Sequence, residues 1–167
     1  MESVILMGPP GAGKTTVGKH LAKLSKRDFI DTDRLIEERE GRSIGEIFVE
    51  GGESTFRAIE RKVVLEVLEK ENSIIALGGG SVLDPEVQAK LSQRRSVVFL
   101  DVSISNAAPR VGFNKERPLL MGNPRQQWLA LMEKRRGTYE ELADFTVSTD
   151  NRKAHEVAEE IAMRVKL

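Results

Sequence analysis

Eight consecutive residues near the N-terminus carry the clearest chemical signal in the chain. They read Gly8-Pro9-Pro10-Gly11-Ala12-Gly13-Lys14-Thr15 and fit the pattern G-x-x-x-x-G-K-[ST], between a short apolar run and an amphipathic segment. In such a loop backbone N–H groups converge on phosphate oxygens, the lysine neutralises the β and γ oxygens, and the hydroxyl binds Mg²⁺. A glycine-rich turn that only caps a helix is the alternative, which the complete motif disfavours. The predicted nucleotide-binding residues are Gly11, Ala12, Gly13, Lys14, Thr15 and Thr16, with Lys14 also catalytic and Thr15 also a metal ligand.

A second motif bears on which nucleotide this loop binds. A loop that reads guanine needs Asn-Lys-x-Asp, and the closest match is Asn114-Lys115-Glu116-Arg117. Arginine there replaces the carboxylate that would hold the guanine edge. The sequence therefore argues against a GTPase and favours ATP, with Mg²⁺, as the ligand.

Two carboxylates follow the second predicted strand, in the sequence Asp31-Thr32-Asp33. They should lie at the carboxyl edge of the sheet, where doubly wound folds bind ligands. Asp31 is suited to hold Mg²⁺ through water, and Asp33 to accept a proton from an alcohol or to orient it. An N-cap for the following helix is the alternative, although Thr32 or Asp33 alone would satisfy it.

Three glycines, Gly78-Gly79-Gly80, end the third predicted strand. Glycines at a strand end either make a flexible turn or let a ligand approach the backbone closely. Because a turn rarely needs three, we predict close approach of the γ-phosphate and the acceptor.

An acidic residue interrupts the apolar face of the helix predicted after residue 44. That face consists of Phe56, Ile59, Val63, Val64, Val67 and Leu68. Glu60 projects from its middle and needs a partner, which Arg57 can provide from one turn earlier. Arg57 is therefore a candidate for binding an anionic substrate. A core ion pair without function, or a surface pair of Arg57 with Glu53, would be the alternatives.

A later helix repeats this anomaly with an arginine. Its predicted inward face consists of Trp128, Leu131, Met132, Arg135, Tyr139 and Leu142. Arg135 thus points inward, where it fits a carboxylate ligand through a bidentate bond, while Arg136 can pair outward with Glu140. The alternative is a solvated run of three cations from Lys134 to Arg136. Together these motifs indicate a kinase for a small hydroxy acid.

The elements that must position these residues alternate between strands and helices. Predicted strands are Val4–Met7, Phe29–Ile30, Ile74–Leu77, Val97–Leu100 and Phe145–Val147. Predicted helices are roughly Lys14–Leu24, Arg34–Glu40, Ile44–Glu71, Pro85–Gln93, Ser103–Val111, Pro124–Leu142 and Asn151–Val165. This alternation predicts an α/β fold with a parallel sheet and helices on both faces, in one domain spanning residues 1–167. The aperiodic stretch 112–124 is predicted to be a mobile lid, and a disordered loop is the alternative.

Composition narrows the class of protein further. The 167 residues include 26 basic and 26 acidic side chains, so no global field recruits nucleic acid or a membrane. The absence of cysteine excludes disulfides and thiolate chemistry. No segment is typical of a signal peptide or a membrane span, so we expect a cytoplasmic enzyme.

Along nearly the whole chain these motifs resemble those of the shikimate kinase family. The similarity rests on Gly8–Thr15, Asp31-Thr32-Asp33, Gly41-Arg42-Ser43-Ile44, Phe56-Arg57 with Glu60, Gly78–Gly80, Arg117-Pro118-Leu119-Leu120, and Arg135 four residues before Tyr139. The resemblance implies transfer of the γ-phosphoryl group of ATP to the 3-hydroxyl of shikimate, in chorismate and aromatic amino acid biosynthesis. It also implies the nucleoside monophosphate kinase type of P-loop fold, with a five-stranded parallel sheet, a mobile lid and a substrate-binding helical region, in a monomer.

The resemblance further implies roles for individual side chains. Arg57 and Arg135 would bind the shikimate carboxylate, while Asp33 and Gly79 or Gly80 would contact its hydroxyls.

Three more arginines match positions on the nucleotide side of the family's site. Arg117 would be the lid arginine that contacts the transferred phosphate, which makes it both a nucleotide ligand and a catalytic residue. Arg110 and Arg152 fall where the family packs arginines around adenine.

Other functions stay open at this point. A kinase for another small acid such as gluconate is disfavoured by the two-arginine site and by Arg117-Pro118-Leu119-Leu120. A non-enzymatic P-loop nucleotide switch is disfavoured by the missing guanine-reading carboxylate and by Asp33. An inactive form of the fold is disfavoured because every residue that a loss should remove is present.

Overall fold

Five short strands form a parallel sheet in the computed structural model, which describes residues 1–111 and 123–167. The strands are β1 (Val4–Met7), β2 (Asp28–Asp31), β3 (Ser73–Ala76), β4 (Val97–Asp101) and β5 (Phe145–Ser148). They lie in the order β2-β3-β1-β4-β5, and each neighbouring pair is parallel. The central strands β1 and β3 are buried along their whole length, which explains why every residue in them except Ser73 is apolar. The predicted fold class is confirmed.

Helices cover both faces of this sheet. Within the described residues they are α1 (Lys14–Ser25), α2 (Thr32–Glu40), α3 (Ile44–Val67), α4 (Pro85–Leu91), α5 (Ile104–Val111), α6 (Pro124–Leu142) and α7 (Ala154–Arg164). Helix α1 packs on β1, β2 and β3 and against α7, whereas α6 contacts β4 and α5. No helix in residues 1–111 or 123–167 is both long and apolar enough to cross a membrane. The predicted lid falls almost entirely on residues 112–122, so Arg117 lies outside the described residues.

The order of the strands places a crevice next to β1. The chain leaves β1 toward β2 on one side of the sheet, whereas it leaves the neighbouring β4 toward β5 on the other. Connections that diverge in this way open a crevice outside the carboxyl ends of the strands. The loop Gly8–Thr15, called the P-loop below, begins there.

The predicted helix Ile44–Glu71 differs from what the structure shows. Helix α3 ends at Val67, and its backbone is interrupted at Gly52, which has φ 78° and ψ 177°. A positive φ of this kind is readily adopted by glycine and interrupts helical hydrogen bonding. The segment therefore consists of two helical pieces, and the second piece carries Arg57 and Glu60.

Candidate active site

Every carbonyl from Gly8 to Gly11 in the P-loop accepts a hydrogen bond. Lys14 Nζ donates to the carbonyls of Gly8 and Pro9, at 2.7 and 3.0 Å. Trp128 Nε1 donates to the carbonyl of Pro10 at 2.9 Å. Arg110 Nη1 donates to the carbonyl of Gly11 at 3.2 Å. With these oxygens engaged elsewhere, the loop is better suited to present its N–H groups to an anion.

The two carboxylate oxygens of Asp31 accept hydrogen bonds from different parts of the chain. Its Oδ1 accepts hydrogen bonds from the backbone N–H groups of Asp33 and Arg34, at 3.1 and 3.3 Å, and so caps α2. Its Oδ2 accepts a hydrogen bond of 2.7 Å from the hydroxyl of Thr15 at the start of α1. The N-cap and the contact to the P-loop threonine therefore occur together.

The Thr15–Asp31 pair fits a bound Mg²⁺ ion. Hydroxyl and carboxylate oxygens are the hard ligands this ion takes, and it usually combines one or two protein oxygens with phosphates and water. The described residues contain no cluster of three or more His, Cys, Asp or Glu that could hold a metal without such partners.

Asp33 lies beside Glu60 at the first glycine of the triplet. A Cβ built on Gly78 would lie 2.5 Å from Asp33 Oδ1 and 3.1 Å from Glu60 Oε2. Thr32 fixes this arrangement, because its hydroxyl accepts a hydrogen bond of 3.0 Å from the N–H of Gly78. The two carboxylates thus occupy the space that a side chain at position 78 would need.

Glu60 has a strongly perturbed acidity. Its side chain is buried, and this desolvation raises its pKa from 4.5 to about 7 against the opposing effect of the Arg57 guanidinium. The charge on Asp33 raises the pKa further, whereas Arg135 lowers it. Glu60 is therefore only partly ionised near neutral pH.

Arg57 makes both of the ion pairs that the sequence left as alternatives. Its Nη1 donates to Glu60 Oε1 at 2.7 Å, and its Nε lies 3.6 Å from Glu53 Oε1. The guanidinium group passes over Gly80, where a Cβ would lie 2.5 Å from Nη2. About a quarter of the Arg57 side chain remains exposed, so the pair with Glu60 is not sealed in the core.

Arg135 projects from α6 into the interior. It is only 3% exposed, and its Nε has no hydrogen-bond partner among the described residues. Its Nη1 lies 3.1 Å from the position of a Cβ on Gly79. Arg136 instead points outward, where it binds Asp101 at 3.0 and 3.1 Å and lies 3.7 Å from Glu140. The alternative prediction, in which Arg135 belongs to a solvated run of three cations, is therefore wrong.

Tyr139 anchors α6 to the same glycine segment. Its hydroxyl donates a hydrogen bond of 2.6 Å to the carbonyl of Gly79. Burial raises the pKa of Tyr139 to about 12, so the hydroxyl stays protonated and remains a donor.

One cavity of about 1040 Å³ brings most of these groups together. The residues that were predicted from the sequence to form the site and that line this cavity are Gly11, Gly13, Lys14, Thr15, Thr16, Asp31, Asp33, Arg57, Gly79, Gly80 and Arg135. Glu60 also lines it, whereas Ala12 is fully buried and does not. The groups predicted to bind phosphate, metal and an anionic substrate therefore share one space.

Comparison with known proteins identifies the family. A family model described as shikimate kinase matches residues 10–166. The chain belongs to the shikimate kinase family. A shikimate kinase from Thermobifida fusca is 49% identical over 158 residues, covering 95% of this chain and 91% of that protein. One from Streptomyces coelicolor is 43% identical over 164 residues, covering 98% and 95%. The solved structure of the Acinetobacter baumannii shikimate kinase in complex with shikimate is 36% identical, has a TM-score of 0.96, and covers 99% of this chain and 93% of its own.

Two arginines that the resemblance to shikimate kinases places near adenine lie outside the large cavity. The guanidinium of Arg110 donates hydrogen bonds to the hydroxyl and to the carbonyl of Thr149, at 3.0 and 2.9 Å, and also to the carbonyl of Gly11. Arg152 binds the Ser148 carbonyl at 3.2 Å and Glu160 at 2.7 Å. Both therefore lie where β5 leads into α7, and the adenine contact stays a prediction.

The sequence of this shikimate kinase family member does not predict two hydrogen bonds at the site. It suggests only a helix cap for Thr32, whose hydroxyl binds Gly78 at a separation of 46 positions. It places Trp128 only on the inward face of α6, whereas the indole binds the Pro10 carbonyl at a separation of 118 positions. Neither partner is visible in local spacing, although a buried tryptophan needs an acceptor for its N–H.

Proposed function

We propose that the chain transfers the γ-phosphoryl group of ATP to the 3-hydroxyl of shikimate, giving shikimate 3-phosphate and ADP in aromatic amino acid biosynthesis. One observation carries the proposal: the P-loop lysine opens onto the same cavity as Asp33 and two arginines, Arg57 and Arg135. Family membership and the shikimate-bound relative support the choice of acceptor.

The nucleotide half of the reaction depends on the P-loop. Lys14 exchanges its bonds to the Gly8 and Pro9 carbonyls for the β and γ oxygens of ATP, where its charge stabilises phosphoryl transfer. Thr15 and, through water, Asp31 would hold Mg²⁺, which would neutralise charge on the β and γ phosphates when bound.

The acceptor half depends on the groups around the glycine triplet. Arg57 and Arg135 bind the shikimate carboxylate, and the Arg135 Nε that lacks a partner in the described structure is satisfied in that complex. Asp33 orients the 3-hydroxyl or accepts its proton, while Gly79 and Gly80 contact the ring hydroxyls.

The predicted lid contributes one more positive charge to the site, that of Arg117. Arg117, which lies in the undescribed stretch, contacts the transferred phosphate when the lid closes. A cation delivered at that stage stabilises the transition state more than the ground state.

We further propose that the enzyme is a monomer and that it acts in the cytoplasm. Its support is that Lys14, Asp33, Arg57 and Arg135 all line a cavity within one chain. Light scattering coupled to size-exclusion chromatography tests the oligomeric state.

The substrate is tested by coupled ADP release with shikimate, quinate and gluconate offered separately at equal concentration. We expect turnover with shikimate to exceed the others by orders of magnitude, and Lys14→Ala to abolish it. Faster ADP release with gluconate than with shikimate would mean that gluconate is the acceptor. Nucleotide binding without turnover on any acceptor would favour a nucleotide switch.

A further inference from the structure

A buried tryptophan fastens α6 to the P-loop. Trp128 is only 3% exposed, and its indole Nε1 donates a hydrogen bond of 2.9 Å to the carbonyl of Pro10. A phenylalanine would fill much of the same apolar space, but it could not make this bond. The polar atom of the indole is thus directed at one particular peptide group.

That peptide group occupies a critical position in the loop. Pro9 and Pro10 have no backbone N–H, so Gly11 is the first residue after Gly8 that can donate to a phosphate. The carbonyl of Pro10 and the N–H of Gly11 belong to the same peptide group. The described chain contains no cis peptide bond, and in a trans peptide these two groups point in opposite directions. A donor that holds the Pro10 carbonyl therefore also fixes the direction of the Gly11 N–H, which points away from α6.

The tryptophan differs from the other side-chain donors to the P-loop carbonyls. Lys14 and Arg110 are cations, and Lys14 is needed by the phosphates themselves. An indole N–H is neutral and donor-only, so it can keep the Pro10 carbonyl throughout the reaction without competing for the ligand.

We propose that Trp128 is a positioning residue that orients the Pro10–Gly11 peptide group so that the Gly11 N–H donates to the nucleotide phosphates. The inference deepens the proposed function on its nucleotide side and rests on ATP as the phosphoryl donor. It makes a residue of α6, two turns before Arg135, part of the nucleotide site without a contact to nucleotide.

Trp128→Phe tests the proposal, because it keeps a buried ring and removes the donor. Tyr139→Phe is the matched control: it removes a hydrogen bond of similar length from the same helix, to the Gly79 carbonyl. Calorimetry on both variants measures the Kd of ADP with Mg²⁺ and, separately, of shikimate. We expect Trp128→Phe to weaken ADP about 3- to 10-fold, the usual effect of one lost hydrogen bond, with shikimate affinity changed less than about twofold. Tyr139→Phe should leave the ADP affinity within about twofold of wild type.

A purely structural tryptophan predicts a different result. Trp128→Phe would then lower the melting temperature while ADP bound as tightly as to wild type, and that outcome overturns the proposal. If wild type bound ADP but not shikimate, the proposed acceptor would fail while the comparison of ADP affinities remained valid.

The wild-type protein offers a second test that requires no variant. Trp128 is the single tryptophan of the chain, so ¹⁵N-labelled protein gives one indole N–H signal. Saturation with ADP and Mg²⁺ should shift this signal clearly, since the phosphates engage the other end of the same peptide group. A signal that does not move at saturation overturns the proposal.

Discussion

Asp33 of α2 and Glu60 of α3 share the space beside the α-carbon of Gly78. Their nearest carboxylate oxygens lie 2.5 and 3.1 Å from the point where a Cβ at position 78 would be. Burial is the main cause of the raised pKa of Glu60, and the nearby charge of Asp33 raises this pKa further.

Glu60 should make folding stability depend on pH. Its pKa is about 7 in the folded chain against 4.5 as the reference value, so the folded state binds the proton more tightly. This contribution is fully present below about pH 4.5 and is lost as pH rises through 7. We expect the free energy of unfolding of wild type, relative to Glu60→Gln, to fall by about 2–3 kcal/mol between pH 5 and pH 8. Urea titrations across this range measure the difference, and parallel pH dependences in the two proteins would contradict it.

Asp33→Asn should remove most phosphoryl transfer while leaving the fold intact. The amide keeps the size of the side chain but can neither accept the proton nor hold the hydroxyl as a carboxylate does. Stopped or coupled assays give kcat, and circular dichroism gives the fold. Near-wild-type turnover would eliminate Asp33 as a base or essential orienter.

Lys14→Ala should be equally inactive for a different reason, the loss of charge at the phosphates.

Arg135→Ala should weaken shikimate binding much more than ATP binding. Removing one partner of a desolvated guanidinium–carboxylate pair typically costs about 2–5 kcal/mol, so we expect at least about a tenfold loss of shikimate affinity. Arg135→Lys should recover only part of it, because an ammonium cannot form the two-pronged bond.

Arg136→Ala is the natural control for that experiment. The neighbouring arginine binds Asp101 on the outer side of α6, so its loss should cost some stability and leave shikimate affinity near wild type. Equal effects of the two alanine variants on shikimate affinity, measured by titration calorimetry, would show that general cationic charge matters rather than the inward position.

Arg117→Ala should lower kcat by orders of magnitude with modest changes in the Kd of ATP and of shikimate. An arginine that meets the transferring phosphate can contribute about 10³–10⁵ in turnover. Steady-state kinetics combined with equilibrium titration separates the two effects. A large loss of ATP affinity with kcat preserved would place Arg117 in ground-state nucleotide binding, and normal kinetics would make it an ordinary surface charge.

Much of this architecture could be predicted because it is encoded locally. Short β-branched runs and helical spacing located all five described strands, with ends within a residue or two. Helical spacing also placed Glu60 and Arg135 on inward faces, where the structure finds both 3% exposed. The P-loop was recognisable because its chemistry needs consecutive residues.

The remainder depends on contacts between distant segments. The spacing around Gly52 reads as one helix, and only the positive φ at that residue breaks it. The glycine triplet is predicted to admit a ligand, and Gly79 and Gly80 line the cavity. What local sequence does not show is that side chains from three helices lie where a Cβ at each of these glycines would be. The sequence leaves an N-cap as the alternative for this motif and expects Thr32 or Asp33 to satisfy it, whereas in the structure Asp31 is the N-cap and its second oxygen accepts a hydrogen bond from Thr15.

The buried Nε of Arg135 implies a compromise between durability and activity. A buried donor without a partner among the described residues typically costs about 1–3 kcal/mol, and we expect a bound anionic ligand to offset this cost. Replacement by methionine, which has similar length and no donor, should raise the melting temperature of the ligand-free chain while destroying its use for carboxylate substrates. Under the proposed role of Arg135 in substrate binding, selection for heat resistance alone would therefore tend to remove this residue, and its presence would reflect selection for activity at the expense of stability.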